Sequence, residues 1–146
     1  MEKYKIRKIE KSDFNKKYLK LLSQLTNVGK ITREQFNESF DNIGDNKDIY
    51  VIENLKTKKL IGTGSIIYEQ KFIHNCARYA YIEDIVISCF YRRKNYGRIL
   101  IHHLLNKAEE NKCSKVILRT KRRNVLFYEK SKFKVYLEDF IMKREL

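Results

Sequence analysis

The residues best suited to chemistry form one continuous segment between positions 82 and 108. An apolar run, residues 82–87, is followed by a basic turn, residues 91–98, and then by apolar residues at helical spacing. A strand that turns into a helix leaves the first backbone N–H groups of the helix without partners, and such groups bind phosphate. The segment therefore predicts a site for a pyrophosphate, as in an acyl carrier that bears phosphate.

The N-terminal elements that must support this segment follow from the periodicity of the apolar residues. Residues 4–9 alternate polar and apolar side chains, which predicts a strand with one buried face. Ser12 is a predicted N-cap for a helix whose apolar residues recur at helical spacing up to Leu25. Thr32 and Gln35 have the spacing of a capping box, which predicts a second helix.

The central part of the chain has the patterns of a sheet and a long helix. Residues 48–53 and 60–69 predict two antiparallel strands, and the more apolar residues 81–88 predict a central third strand. The helix after Gly97 is expected to bury one side, formed by Tyr96, Ile99, Leu100, Leu104, Leu105 and Ala108.

The last third of the chain alternates strands and helices. It predicts a short buried strand at residues 115–119, a helix from near Asn124, and a last strand at residues 134–142. An antiparallel start followed by this alternation predicts a mixed α+β fold.

Length and composition limit the class of protein. A chain of 146 residues with 42% hydrophobic residues predicts one domain, residues 1–146. The charged start and the short apolar runs predict neither a signal peptide nor a membrane helix, so we expect a cytoplasmic protein. Three cysteines at irregular spacing predict free thiols and no metal site: Cys76, Cys89 and Cys113.

The net charge of +14 allows two interpretations. Basic clusters at residues 56–59 and 121–123 could neutralise the phosphates of a nucleic acid. The basic residues are spread along the whole chain, however, without the aromatic and basic pattern of an RNA-binding strand. A solvated basic surface that attracts small anions is the favoured interpretation, and we expect no nucleic-acid partner.

The order of elements resembles the GNAT superfamily of acetyl-CoA-dependent N-acetyltransferases. The cofactor loop of that superfamily reads Arg or Gln, two residues, Gly, one residue, then Gly or Ala. Arg92 and Gly97 match its ends, whereas Asn95 replaces the middle glycine and Arg93 replaces another common glycine. The resemblance implies the GNAT fold, with a mixed, mostly antiparallel central sheet flanked by helices.

Four motifs narrow the resemblance to the glucosamine 6-phosphate N-acetyltransferase family. Residues 24–29, 69–74, 82–85 and 124–130 resemble that family in order and spacing, and Lys-Phe-Ile-His at 71–74 is characteristic of it. The similarity covers roughly residues 4–144. It implies transfer of acetyl from acetyl-CoA to the 2-amino group of glucosamine 6-phosphate, without a metal, on the route to UDP-N-acetylglucosamine.

The resemblance also implies where acetyl-CoA binds. A bulge in the strand at residues 83–88 would free backbone N–H groups, so that Ile85, Val86 and Ile87 contact the pantetheine arm and the thioester. The basic turn would hold the pyrophosphate, and the helix at 124 would complete the site. The implied cofactor-binding residues of these two parts are Arg92, Arg93, Lys94, Asn95, Tyr96, Gly97, Arg98, Asn124, Phe127 and Tyr128.

Acyl transfer to an amine needs a positioned nucleophile, a donor for the developing oxyanion, an acceptor for the amine proton and a proton for the leaving thiolate. By resemblance, Tyr128 is the acid beside the sulfur. The family usually has an acidic residue at position 119, where this chain has an arginine that cannot act as a base. Glu83, Asp84 or water must then accept the amine proton, or the substrate differs.

The sugar phosphate would be held by several segments. The implied substrate residues are Thr26, Lys71, Phe72, Ile73, His74, Glu83, Asp84 and Lys115, with Lys143 and Arg144 reaching the phosphate. The resemblance implies an intertwined homodimer in which the C-terminal basic residues act on the partner's substrate. Lys132 replaces the family's glycine after the last helix, which predicts a changed loop there.

Two other functions remain open from the sequence. An acetyltransferase of the same fold could act on a protein N-terminus, a lysine or a polyamine, although a basic site suits a phosphorylated sugar better. A basic nucleic-acid-binding domain would instead bind DNA or RNA with strong salt dependence and would not bind acetyl-CoA.

Overall fold

A computed structural model describes residues 3–146 as a five-stranded sheet flanked by helices. The strands are β1 (Tyr4–Lys8), β2 (Lys47–Asn54), β3 (Leu60–Gln70), β4 (Arg78–Ile87) and β5 (Lys115–Leu118), arranged in chain order across the sheet. The first four are antiparallel, and β4 and β5 are parallel. This mixed, mostly antiparallel sheet confirms the predicted α+β fold.

Five helices accompany the sheet: α1 (Tyr18–Leu22), α2 (Arg33–Asp41), α3 (Ile73–Cys76), α4 (Tyr96–Glu110) and α5 (Val125–Glu129). Short 3₁₀ turns precede α1, α4 and α5, at Lys11–Phe14, Cys89–Tyr91 and Arg122–Asn124. None of the helices within residues 3–146 is long and apolar enough to cross a membrane.

The sheet separates two hydrophobic clusters. The long helix α4 packs on one face, where its Leu100, Ile101 and Leu104 are fully buried against β2, β3 and β4. Helices α1 and α2 cover part of the other face, where Tyr18 and Phe36 contact Val51 and Val86. The helix predicted after Gly97 is confirmed, and its buried stripe also includes Ile101.

Two glycines of β3 let β4 pack closely on the α4 side. A Cβ atom at Gly62 would overlap the side chain of Ile87, and one at Gly64 would overlap the side chain of Ile85. Any larger residue at these positions must displace the two isoleucines.

A buried ion-pair network anchors the N-terminal region. Asp13 is fully buried and accepts two hydrogen bonds from Arg7, at 2.7 and 2.8 Å. Glu53, only 2% exposed, accepts from Arg7 at 2.9 Å and from Lys16 at 2.5 Å. These contacts join the first 3₁₀ turn to β1 and β2, and every buried charge in the group has a partner.

The first predicted helix is wrong in its start and its length. Ser12 lies inside the 3₁₀ turn, whose N-cap is Glu10 in a reciprocal capping box with Asp13. Lys17 then adopts a left-handed backbone, with φ 62°, and α1 begins only at Tyr18. The burial of Asp13 against Arg7 outweighs the helical periodicity, because it turns this segment toward β1.

The second predicted helix is confirmed with its cap. The Thr32 hydroxyl accepts the backbone N–H of Gln35 at 3.2 Å, and the Gln35 side chain accepts the N–H of Thr32 at 2.9 Å. Phe36 is buried one residue later. Local chemistry was sufficient here because both hydrogen bonds of the cap join residues only three positions apart.

The C-terminal part departs from two predictions. β5 is not buried as expected, because Lys115 and Ile117 lie on an exposed face while Val116 and Leu118 pack beneath them. Residues 134–142 form no strand in the described structure. We call residues 134–146 the C-terminal arm; it is exposed throughout and pairs with none of the five strands.

Candidate active site

The bulge implied for β4 is present and is centred on Asp84. Thr63 pairs with Val86 and Ser65 pairs with Glu83, so that Gly64 alone faces two residues of β4, Asp84 and Ile85. Asp84 has a left-handed backbone with φ 54°. An extra residue in one strand disrupts the hydrogen-bond ladder and bends the strand.

β4 and β5 separate at the same level of the sheet. Their pairing runs from Tyr79 beside Lys115 to Ile82 beside Leu118, whereas β4 continues to Ile87. Residues 83–87 therefore have an edge that β5 does not cover. A backbone edge of this kind can donate N–H groups to an extended ligand and to a carbonyl oxygen.

The basic turn joins this open edge to the start of α4. Arg92 donates from Nε to the carbonyl of Ile87 at 3.1 Å, which fixes the turn to the end of β4. Arg93, Lys94 and Arg98 are exposed. These cations lie within or directly before the first turn of the 15-residue α4, whose first N–H groups suit a pyrophosphate.

The two residues that replace family glycines have the backbone that glycine would adopt. Arg93 has φ 60° and Asn95 has φ 67°. Asparagine tolerates this left-handed conformation well, whereas arginine does not. The loop geometry is retained although its glycines are not.

Helix α5 lies against the start of α4. A Cβ atom at Gly97 would lie 3.0 Å from Cζ of Phe127, so the missing side chain allows the Phe127 ring to approach. The ring of Tyr128 packs edge-on against Phe127, with centroids 4.9 Å apart, and against Phe133 at 6.0 Å. Burial raises the pKa of Tyr128, so its phenol keeps its proton at neutral pH.

Asn124 is less closely tied to the site than Tyr128. It is exposed and ends the 3₁₀ turn before α5, and its side chain makes no capping hydrogen bond. Asn124 thus holds the N-cap position of α5 without capping it by a side-chain hydrogen bond. A contact with the cofactor stays a prediction.

Three of the expected substrate residues meet around one aromatic ring that sequence reasoning missed. The ammonium groups of Lys71 and Lys115 lie 5.4 and 4.5 Å from the ring centroid of Tyr79. The imidazole of His74 stacks on the same ring at 6.4 Å. Alternation along β4 could have identified Tyr79, because it shares a face with Glu83.

The motif at residues 71–74 contains an unusual backbone. His74, Asn75 and Cys76 have φ values of 52°, 56° and 57°, three successive left-handed residues without a glycine. The same segment exposes Phe72 to 95% and Ile73 to 59%. Such conformations cost about 1–2 kcal/mol per residue and are concentrated at functional sites.

The two expected proton acceptors have different surroundings. Glu83 accepts a hydrogen bond from Arg119 at 3.3 Å, across the gap between β4 and β5. Asp84 lines a cavity of about 280 Å³ between the sheet and helices α1 and α2, beside Tyr18, Gly64 and Ser65. Arg119 thus occupies the position of the missing acid and orients the neighbouring one.

Three expected substrate residues are not brought to this cluster. Thr26 is on an exposed turn that follows α1. Lys143 and Arg144 are in the C-terminal arm, and neither forms an ion pair with a carboxylate of residues 3–146. Within the same residues, no group of three or more His, Cys, Asp or Glu converges as in a metal site.

Comparison with known proteins identifies the family. The acetyltransferase (GNAT) family model matches residues 5–133. The chain belongs to the GNAT acetyltransferase family. Its relatives include the glucosamine 6-phosphate N-acetyltransferase of Arabidopsis thaliana, 40% identical over 132 residues, which covers 88% of this chain and 89% of the relative. Glucosamine 6-phosphate N-acetyltransferase 1 of Dictyostelium discoideum is 42% identical over 87% of this chain and 82% of its own length.

The fold of this GNAT protein agrees with solved structures. The crystal structure of glucosamine-6-phosphate N-acetyltransferase from Arabidopsis thaliana has a TM-score of 0.92 and 37% identity, and the match covers 99% of both chains. An acetyltransferase from Trypanosoma brucei has a TM-score of 0.89 and 26% identity over 99% of this chain and 100% of the other. The resemblance inferred from the four sequence motifs is confirmed.

Proposed function

We propose that this GNAT protein transfers acetyl from acetyl-CoA to the 2-amino group of glucosamine 6-phosphate. The observation that carries the proposal is the identity of about 40% over most of the chain to relatives named for that reaction. The separation of β4 from β5, next to the bulge and the basic turn, supplies the kind of cleft that an extended thioester substrate needs.

The pantetheine arm is proposed to lie along the open edge of β4, with backbone contacts to Ile85, Val86 and Ile87. The pyrophosphate lies at the start of α4, beside Arg93, Lys94 and Arg98. The thioester carbonyl accepts from an N–H group of the bulged strand, which stabilises the charge that develops on that oxygen. The Phe127 ring closes this side of the cleft because it already packs against Gly97.

The reaction needs two proton movements. The amine nitrogen attacks the thioester carbon, a C–N bond forms and the C–S bond breaks. The proton lost by the amine passes to Glu83 or Asp84, directly or through water, and the thiolate receives a proton from the Tyr128 phenol. Arg119 cannot accept a proton, but its hydrogen bond to Glu83 aims that carboxylate across the gap between the strands.

The cluster around Tyr79 is the proposed sugar-phosphate site. Lys71 and Lys115 provide two cations on one face of the sheet. The hydrogen bond from Lys71 to Glu69, at 2.7 Å, raises the pKa of Lys71 and keeps it charged. Among residues 3–146, the two ammonium groups outnumber the one carboxylate that pairs with them, Glu69, which suits a phosphate better than a cationic peptide or polyamine.

We further propose that the protein is a single-domain cytoplasmic homodimer. The C-terminal arm exposes large apolar residues that a monomer has no means to bury: Val135, Tyr136, Leu137, Phe140, Ile141 and Met142, between 53 and 93% exposed. Exposed apolar runs of this kind mark interaction surfaces. In an intertwined dimer the arm would bring Lys143 and Arg144 to the partner's substrate.

The test is release of CoA thiol by purified protein that is given acetyl-CoA with glucosamine 6-phosphate, glucosamine or a lysine-rich peptide in parallel. We expect turnover confined to the sugar phosphate. Turnover with the peptide alone would assign the chain to a protein-acetyltransferase branch of the fold. No turnover with any of the three would contradict the proposed enzyme.

A further inference from the structure

A second cavity in the structure is unrelated to the reaction described above. It has a volume of about 470 Å³, within the range of small-molecule sites. It lies at the end of the sheet between α1, the β2–β3 turn and the loop after β4. Five lysines line it: Lys16, Lys17, Lys20, Lys58 and Lys59.

The charges of this cavity are not compensated. Lys16 forms an ion pair with Glu53 at 2.5 Å, but the other four lysines have no carboxylate partner within residues 3–146. No aspartate or glutamate among the described residues lines the cavity. Like charges converging on one concave surface repel each other, and an anion bound between them relieves that repulsion.

The cavity also has an aromatic wall. Phe90 lines it and is 79% exposed, and Tyr91 lies beside it. Leu21 and Leu60 form an apolar floor. A flat exposed ring next to several cations is the combination that stacks on a base while its phosphates are neutralised.

The cavity is distinct from the acetyl-CoA cleft. Leu21 and Leu60 pack with α1 and α2 on one face of the sheet, whereas Ile85 and Ile87 pack with α4 on the other face. The two regions share only the loop after β4. There, the Gln24 side chain, which lines the cavity, accepts the backbone N–H of Cys89 at 2.8 Å.

We propose that this lysine-lined cavity binds a nucleotide with two or more phosphates. The phosphates lie among Lys17, Lys20, Lys58 and Lys59, and the base stacks on Phe90. This site accounts for part of the charge of +14, including the cluster at residues 56–59, that acetyl transfer leaves unused. It does not depend on the acetyl acceptor.

The proposal is tested with GDP that carries an N-methylanthraniloyl fluorophore, because guanine is not part of CoA. The full chain is loaded with one equivalent of CoA, so that the cleft is filled, and binding is followed by fluorescence anisotropy. We expect saturable binding that weakens with salt. No saturable binding to the CoA-loaded protein would overturn the proposal.

Paired variants locate the site. The double substitution Lys20→Gln and Lys59→Gln should weaken GDP binding by at least about tenfold, because it removes two of the cations that hold the phosphates. Lys107→Gln with Lys112→Gln removes the same charge at the far end of α4 and should change the affinity by less than about twofold. Equal losses in both would indicate nonspecific attraction and contradict a site.

Two further measurements complete the test. Phe90→Ala should lower the affinity for GDP but not for inorganic pyrophosphate, and an equal effect on both would contradict the assigned base contact. The affinity for CoA should remain within about twofold in the lysine double variant. A parallel loss of CoA binding would place the ligand in the cleft instead.

Discussion

Tyr128 is the side chain whose surroundings best fit a single chemical step. Tyr128→Phe removes the hydroxyl and keeps the ring that packs between Phe127 and Phe133. We expect kcat to fall about a hundredfold, in line with loss of a general acid, while the free energy of unfolding changes little. Steady-state kinetics of thiol release provide the measurement, with Tyr136→Phe in the exposed arm as the matched control.

The pH profile gives an independent check on Tyr128. Burial raises the pKa of this phenol above its ordinary value of 10, so the proton it donates is present throughout the neutral range. The rate should show no decline from deprotonation of this group below about pH 10. An unchanged kcat in Tyr128→Phe would mean that the thiolate takes its proton from elsewhere.

Glu53 links stability to pH. Burial alone would raise its pKa, but hydrogen bonds from Arg7 and Lys16 outweigh this effect and lower the pKa to about 2. A lowered pKa stabilises the fold above the unfolded value of about 4.5 and loses that contribution as the pH falls toward 2. Urea unfolding from pH 6 to pH 2 should show the decline.

The matched variant for this prediction is Glu53→Gln. It removes one of the two carboxylates that Arg7 and Lys16 contact and leaves Asp13 in place, so the free energy of unfolding at pH 7 should drop by about 1–3 kcal/mol. In Glu53→Gln, the loss of unfolding free energy between pH 6 and pH 2 should be smaller than in the wild type. If wild type and variant lose stability in parallel between pH 4.5 and 2, other carboxylates are responsible.

At the scale of one element, α5 ends in a turn that its sequence does not favour. The N–H of Phe133 bonds to the carbonyl of Tyr128 at 3.3 Å, and the N–H of Lys132 to that of Glu129 at 2.9 Å, the pattern of a Schellman motif. Lys132 takes the left-handed position with φ 64°. Lys132 therefore bears the backbone strain that a glycine would avoid, and a loop changed from that of the family stays a prediction.

Lys132→Gly should consequently stabilise the protein by about 1 kcal/mol, because glycine adopts the left-handed backbone without a steric penalty. Lys130→Gly is the control two residues earlier, where the backbone is right-handed with φ −62°. It should destabilise by about the same amount. Chemical unfolding measures the free energy of unfolding of both variants. If the two substitutions change it in the same direction, the explanation is contradicted.

Secondary-structure elements could be predicted where the deciding contacts lie within the element itself. The capping box of α2 and the buried apolar face of α4 each depend on residues within one or two helical turns. The sequence predicts the capping box, and it predicts most of the buried residues of α4. Ser12 was misread as a cap because the deciding contact, Arg7 with Asp13, comes from a different element. The same limit hid Tyr79, whose role becomes visible only when α3, β4 and β5 are brought together.

At the scale of the whole molecule, the C-terminal arm is where the structure differs from the sequence-based prediction. Residues 134–142 have the pattern of a strand, but in the described structure they pair with no strand. The sequence pattern and the exposed side chains agree if the neighbour is a second copy of the protein. The proposed substrate contacts of Lys143 and Arg144 could not be placed from one chain for the same reason.

Phe140→Asp tests the role of the arm. Phe140 is 87% exposed, so an aspartate there costs an isolated chain little but would be buried in a dimer interface. We expect light scattering after size exclusion to show a dimer for the wild type and a monomer for this variant. Glu138→Asp, a charged residue changed in the same arm, should remain dimeric; a monomeric wild type would refute the arrangement.

A shared site predicts complementation between two impaired variants. Lys143→Glu should raise the KM for the sugar phosphate and leave the KM for acetyl-CoA unchanged. When it is co-expressed with Tyr128→Phe, a mixed dimer contains one site with an intact Tyr128 from one subunit and an intact Lys143 from the other. Recovered activity would mean that Lys143 contacts the substrate bound to the partner subunit. If activity is not recovered, Lys143 acts in the site of its own subunit.

The two glycines of β3 have a further consequence for how the cleft responds to its ligand. Ile85 and Ile87 lie over Gly64 and Gly62, where a Cβ atom would overlap their side chains, and β3 has no other glycine. The extra residue at Asp84 therefore cannot migrate along β4 by a slip of register. We therefore expect the N–H groups of the open edge to be held in place before a thioester arrives, so that the strand keeps its register when the ligand binds.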